Sequence, residues 1–145
     1  MTASKNTPAA LFMLVLIVVL GIFLRFEASL KELWLDEIYS LVLLQPSTTA
    51  LQIFSIAVDN NHYLNSLYLF YLGAHASPLA LHLPALLFAI LTLILAVWIC
   101  HRRGLLEGLL GAVVFSFSFV LVLYGSEARG YSSLLFFSLL CFALF

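Results

Sequence analysis

The chain has 145 residues, of which 64% are hydrophobic and only 9% are charged. This composition excludes an ordinary soluble domain and indicates an all-α protein that crosses a membrane several times. The formal net charge is −1, without a basic arm or an acidic tail, so a nucleic-acid partner is not expected. Cys100 and Cys141 lie in apolar stretches, where cysteine behaves as a small hydrophobe.

The first apolar run predicts a spanning helix over residues 8–24. A cleaved signal peptide is the alternative because Ala28-Ser29 supplies small residues. However, the run is long for a signal peptide, and no A-x-A site follows it. With Lys5 taken as a cytoplasmic charge, residues 26–61 form a loop outside the cytoplasm.

Two adjacent carboxylates, Asp36 and Glu37, follow the first spanning helix. An acid beside hydrocarbon needs water, a partner or a metal ion, so the pair is a candidate functional site. The alternative is that the two acids cap the start of a helix at the membrane surface. Further along, Pro46-Ser47 and an apolar pattern at helical spacing predict an interfacial helix over 47–58, or equally a loop helix packed on the protein.

An aromatic stretch over residues 62–75 is too short to cross a bilayer and predicts an interfacial or re-entrant segment. Gly104, Gly108 and Ala112 are spaced four apart, which favours close packing between helices. Further spanning helices are predicted over 79–100, 105–124 and 131–145.

The number of crossings decides which polar segments share a face. If 62–75 does not cross, the basic turn at 101–103 is cytoplasmic, in agreement with the positive-inside tendency. The loop after the first helix and the turn near residue 129 then both lie outside, and we expect this arrangement. The shared outer face would hold Asp36, Glu37, Asn60, Asn61, His62, Asn65, Glu127, Arg129 and Tyr131.

These residue types suit sugar or phosphate chemistry. A carboxylate such as Asp36 can take a proton from a hydroxyl group or hold a divalent ion. Arg129 can bind a phosphate through two parallel hydrogen bonds, and His62 can donate to the same group. The alternatives are that Glu127 and Arg129 form an ion pair that secures their turn, and that His62 is a hydrogen-bonded interfacial histidine.

The order of these motifs resembles the N-terminal part of the polyprenyl-phosphate-sugar-dependent membrane glycosyltransferases of the GT-C fold. More narrowly, it resembles glycosyltransferase family 39, the branch with the dolichyl-phosphate-mannose protein mannosyltransferases and the aminoarabinose transferase of lipid A. The matching motifs are Asp36-Glu37, His62 with Leu67-Tyr68, Leu83-Pro84-Ala85-Leu86-Leu87-Phe88, and Glu127-Ala128-Arg129-Gly130-Tyr131.

The chain departs from the family pattern at three places. Tyr63-Leu64-Asn65 stands where the family usually has two prolines after the histidine. His82 stands where an arginine is frequent, and Gly130 stands where a proline is common.

The resemblance implies transfer of a sugar from a polyprenyl-phosphate-linked donor to an acceptor lipid, glycan or protein. Asp36 would be the catalytic carboxylate, acting as a base or through a divalent metal ion such as Mg²⁺ or Mn²⁺, and Glu37 would assist it. His62 and Arg129 would contact the donor phosphate. The remaining implied substrate-binding residues are Asn65, Glu127 and Tyr131.

The resemblance also implies a location in the bacterial plasma membrane, among membrane lipids, with the active face outside the cytoplasm. Because the sequence stops inside the apolar run 141–145, we expect a truncated piece of a larger protein that is inactive alone. One alternative is part of a multi-pass transporter in which Asp36 or Glu127 couples ions or protons. Another is a small assembly protein whose helices only pack.

Overall fold

The computed structural model describes residues 8–145, and over this range the chain forms helices, turns and loops without a strand. The all-helical prediction is therefore confirmed for the described residues. The helices are α1 (Pro8–Ala28), α2 (Leu35–Leu44), α3 (Ala50–Ile53), α4 (Tyr63–Leu72), α5 (Pro78–His101), α6 (Leu105–Phe117), α7 (Phe119–Gly125) and α8 (Tyr131–Leu144).

Helices α1 and α5 are each long and apolar enough to cross a membrane. Helices α6 and α7 are bent by 58° relative to each other and make a third span if the pair crosses as one. The helix predicted over 105–124 is therefore broken, because Ser118 is extended, with ψ of 117°. Helix α8 matches the helix predicted over 131–145, but its 14 residues are fewer than a full span needs.

A buried arginine from α1 holds the break between α6 and α7. The Arg25 side chain is only 2% exposed. It donates to the carbonyl oxygens of Phe115 (2.6 Å), Ser116 (3.3 Å) and Gly21 (2.9 Å). A helix end leaves carbonyl groups without backbone donors, so the guanidinium replaces the donors that the break removes.

Small residues bring α6 against α5, as the sequence predicts. A Cβ atom added at Gly108 would lie 2.9 Å from Nδ1 of His101, and Ala112 is fully buried. Gly111, which the spacing of four does not include, also faces α5, since an added Cβ would lie 2.7 Å from Sγ of Cys100. Gly104 faces the Glu107 side chain of its own turn instead.

The external loop has a different helix content in the structure from that predicted from the sequence. Residues 35–44 form α2, although the sequence predicts a loop there. The helix predicted over 47–58 is wrong in extent, because only α3 is helical in that range. The side-chain amide of Asn61 donates to the carbonyl oxygens of Ile53 (2.8 Å) and Ile56 (2.9 Å), and these bonds stabilise the non-helical chain after α3.

The polar segments meet at one end of the bundle. His82, in the first turns of α5, contacts Glu37 of α2, and the turn at 126–130 contacts the same carboxylate. The basic turn at 101–104 connects the other end of α5 to the start of α6. The short helix α4 lies within the 62–75 segment and does not have the length of a span. The Asp36 and Arg129 side chains are in contact, which agrees with the arrangement that places both polar segments on one face.

Candidate functional site

The exposed part of the site is an ion pair between α2 and the turn that precedes α8. The Asp36 side chain, 53% exposed, accepts a hydrogen bond of 3.2 Å from Arg129, whose side chain is only 12% exposed. The second terminal nitrogen of Arg129 donates to Oδ1 of Asn60 at 2.6 Å. Asn60 in turn donates to the backbone oxygen of Asp36 and to Oγ of Ser40. This network fixes the guanidinium while one carboxylate oxygen remains open to solvent.

Directly behind this pair, Glu37 is buried and joins three segments of the chain. Its Oε2 accepts from the backbone nitrogen of Trp34 at 3.0 Å and so caps the start of α2. Its Oε1 contacts Nε2 of His82 at 3.0 Å and also accepts from the backbone nitrogen of Ala128. Nδ1 of His82 lies 2.6 Å from the carbonyl oxygen of Pro78. The capping alternative therefore describes Glu37 in part, and the same carboxylate also fixes the turn that carries Arg129.

The hydrogen bonds to Glu37 imply an ionised carboxylate. Burial by itself raises the pKa of Glu37, but the hydrogen bonds from His82, Trp34 and Ala128 outweigh it, so the net pKa is below the usual value. A carboxylate and a carbonyl group can only accept, so both ring nitrogens of His82 donate. Glu37 and His82 consequently form a buried pair of opposite charges.

Two aromatic contacts, which involve Tyr131 and His62, lie next to Arg129. Its guanidinium carbon lies 4.6 Å from the ring centre of Tyr131, and the rings of His62 and Tyr131 meet edge to face at 4.9 Å. Burial and the positive charge of Arg129 lower the pKa of His62. Gly130 allows this approach, because an added Cβ would lie 2.5 Å from Cβ of His62.

Asn65 stabilises the turn at 126–130 through a buried hydrogen bond. Its side-chain amide donates to the carbonyl oxygen of Ala128 at 2.7 Å, and the residue is buried. Of the nine predicted outer-face residues, Asn61 alone serves mainly to hold the chain after α3. The others lie in contact around the turn at 126–130.

Glu127 differs from the other two acids of the site. It is buried, and its Oε2 lies 3.8 Å from the nearest guanidinium nitrogen of Arg129, beyond hydrogen-bond distance. This oxygen has no hydrogen-bond partner among the described residues. Burial raises the pKa of Glu127 above its usual value; Arg129 opposes the shift, and Glu37 and Asp36 add to it.

Two cavities adjoin the cluster. An apolar cleft of about 380 Å³ lies between α5, α7 and α8, with Arg25, Tyr124 and Tyr131 in its wall. A smaller pocket of about 130 Å³ has both Glu37 and Glu127 in its lining.

The predicted metal site at Asp36 has one carboxylate rather than a ligand set. Within residues 8–145, no group of three or more His, Cys, Asp or Glu side chains is arranged to hold a metal ion. Asp36 contacts the Ser40 hydroxyl group, the Asn60 amide and the Arg129 guanidinium. The divalent ion at Asp36 stays a prediction, and no step of the proposed reaction passes through a metal.

Sequence reasoning gave no role in the site to His82 or Ser40. His82 carried a usable signal, because a polar residue inside an apolar spanning helix needs a partner. Its distance in sequence from Glu37 concealed which partner that is. Ser40 offered only its position one helical turn after Asp36.

The fold and site define an α-helical protein with two or three helices able to span a membrane and a buried polar cluster at one end of them. Comparisons with protein-family models, curated proteins and solved structures yield no match for this chain. The proposal of a function therefore rests on the geometry of the cluster and on the sequence resemblance.

Proposed function

We propose that this chain is part of a membrane glycosyltransferase of the GT-C type that uses a polyprenyl-phosphate-linked sugar as donor. The observation that carries the proposal is the contact between Asp36 and Arg129 at the end of the spanning helices. It combines a half-exposed carboxylate with a guanidinium already fixed in place, and these are the two groups that sugar transfer from a phosphate requires.

In the proposed reaction, Asp36 takes the proton of an acceptor hydroxyl group. The acceptor oxygen attacks the anomeric carbon of the sugar, and the bond from that carbon to the phosphate oxygen breaks. The electron pair stays on the lipid phosphate, whose negative charge Arg129 stabilises. Tyr131, which stacks on the guanidinium, and Asn60 keep that group oriented.

The surroundings of the cluster suit a lipid-linked substrate. The cleft of about 380 Å³ is walled mainly by apolar side chains of α5, α7 and α8 and includes Tyr131, which contacts Arg129. A hydrocarbon chain in this cleft would place its phosphate near the polar end of the bundle. The basic turn at 101–103 lies at the opposite end, so the positive-inside tendency directs the cluster away from the cytoplasm.

A transporter remains the second class, in which Asp36 or Glu127 would couple ions. Transporters place their working charges in broken helices near the middle of the membrane. Here the broken pair α6–α7 is stabilised by Arg25, and both acids lie at helix ends. The positions of these charges favour the enzyme.

The proposal is tested by donor binding to the purified chain in lipid nanodiscs, with a radiolabelled short-chain prenyl phosphate hexose as probe. Arg129→Ala should weaken binding about tenfold or more, because a charge-assisted contact with the phosphate is lost. Arg103→Ala, which removes an equal charge at the opposite end of the bundle, should bind as the unmodified chain does. Equal loss in both variants, or no binding by the unmodified chain, would contradict the proposal.

A further inference from the structure

The charges around Glu127 do not balance unless it carries a proton. Asp36 is paired with Arg129, and Glu37 is paired with His82. Arg129 also lies 3.8 Å from Glu127, so Asp36 and Glu127 share one guanidinium, and Asp36 is the closer of the two acids. A buried carboxylate that has no hydrogen bond and shares its counter-charge with a second acid is disfavoured relative to the neutral acid.

No other charged group facing Glu127 changes this balance. The pocket of about 130 Å³ is also lined by Lys31 and Glu32, which are both exposed and have opposite charges. Among the described residues no ion pair joins Lys31 to Glu127. Glu37 and His82, which line the same pocket, are neutral as a pair.

The charge of the cluster decides whether it accepts an anion. With Glu127 protonated, the two pairs give a net charge of zero, and Arg129 keeps an Nε–H donor without a partner among the described residues. With Glu127 ionised, the cluster has a charge of −1, located 3.8 Å from the guanidinium that would receive the anion. The same carboxylate would then compete with the ligand for Arg129.

We propose that Glu127 is a proton-binding site that controls anion binding at Arg129, so that a phosphodiester ligand binds together with one proton. This inference rests on the proposed function, since it takes the lipid-linked phosphate as the anion. By linkage, the ligand binds well while Glu127 is protonated and is released as the pH rises through the pKa of this group, which lies above its usual value.

The experiment measures binding of the short-chain prenyl phosphate hexose to the chain in nanodiscs between pH 5 and pH 9. A phosphodiester keeps its single charge over this range, so any pH dependence belongs to the protein. We expect roughly tenfold weaker binding at high pH, a typical coupling between two sites. In Glu127→Gln, which is neutral at every pH, binding should stay tight across the range.

Proton uptake on binding gives a second measurement that does not depend on the variant. Calorimetry in two buffers of different ionisation enthalpy, at the high end of this pH range where Glu127 is ionised before the ligand binds, counts the protons taken up by the unmodified chain. Uptake should vanish in Glu127→Gln; uptake that persists in this variant would assign the proton to another group, such as His62, and contradict the inference.

Infrared spectroscopy tests the resting proton without any ligand. At the low end of the pH range, the carbonyl stretch of a buried carboxylic acid should be present in the unmodified chain and in Asp36→Asn, and absent from Glu127→Gln. If this band survives in Glu127→Gln, or if binding is independent of pH, the inference is wrong while the proposed donor stands. If the probe does not bind at any pH, both are wrong.

Discussion

The buried pair of Glu37 and His82 offers the sharpest test of how the site is assembled. Glu37→Ala removes the acceptor for three donors: the His82 ring and the backbone nitrogens of Trp34 and Ala128. It also leaves a cationic histidine, only 2% exposed, without its counter-charge. Loss of one partner from such a pair costs about 3–5 kcal/mol of unfolding free energy, which we expect here.

A double-mutant cycle separates the pair from the rest of the packing. His82→Ala should also destabilise the protein, because Glu37 then lacks its cation. The combined variant should be more stable than the sum of the two single losses predicts, by about 1.5–3 kcal/mol, the value of a hydrogen bond to a charged group. Glu37→Gln is the matched control, since it keeps the size of the side chain and one acceptor oxygen.

The assay is equilibrium unfolding of the detergent-solubilised chain by increasing denaturing detergent, followed by circular dichroism of the helices. Each variant is compared at the same lipid and pH. A Glu37→Ala loss below about 1 kcal/mol, or a cycle in which the two losses simply add, would refute the assignment of Glu37 and His82 as a charged, mutually dependent pair.

Other consequences follow from the same geometry. Asp36→Asn should change the unfolding free energy by less than about 1 kcal/mol in the same assay, because its side chain is 53% exposed; a loss as large as that of a buried pair would contradict this. Arg129→Gln should raise the pKa of His62, since a nearby positive charge disfavours the imidazolium form. An NMR titration of the His62 ring checks this, and an unchanged or lower pKa would show that the charge of Arg129 does not act on His62. Single cysteines at Asp59 and Arg103, with both native cysteines replaced by serine, should react with an impermeant thiol reagent from opposite sides of the membrane; reaction from the same side would overturn the bundle orientation.

The sequence alone determined much of the backbone. Runs of apolar residues identified α1 and α5, and the short aromatic stretch around α4 was recognised as too short to cross. Hydropathy averages over a window, so it could not show that 105–124 bends at Ser118. The bend depends on Arg25, a residue from another helix that supplies donors to the broken end.

Sequence reasoning also identified the residue types of the site. The positive-inside tendency and the predicted number of crossings placed the acids after α1 on the same face as the turn around Arg129. The contact between Asp36 and Arg129 agrees with that arrangement. It could not distinguish the neighbouring acids Asp36 and Glu37, which have similar side chains and adjacent positions.

The tertiary structure made that distinction. Successive residues on a helix point about 100° apart, so α2 turns Asp36 toward solvent and Glu37 toward His82. Glu127 then shares Arg129 with Asp36 and lies farther from the guanidinium, a result that depends on the distances between α2 and the turn at 126–130. Composition and spacing along the chain determine which charges are present, but only packing determines which of them are neutralised.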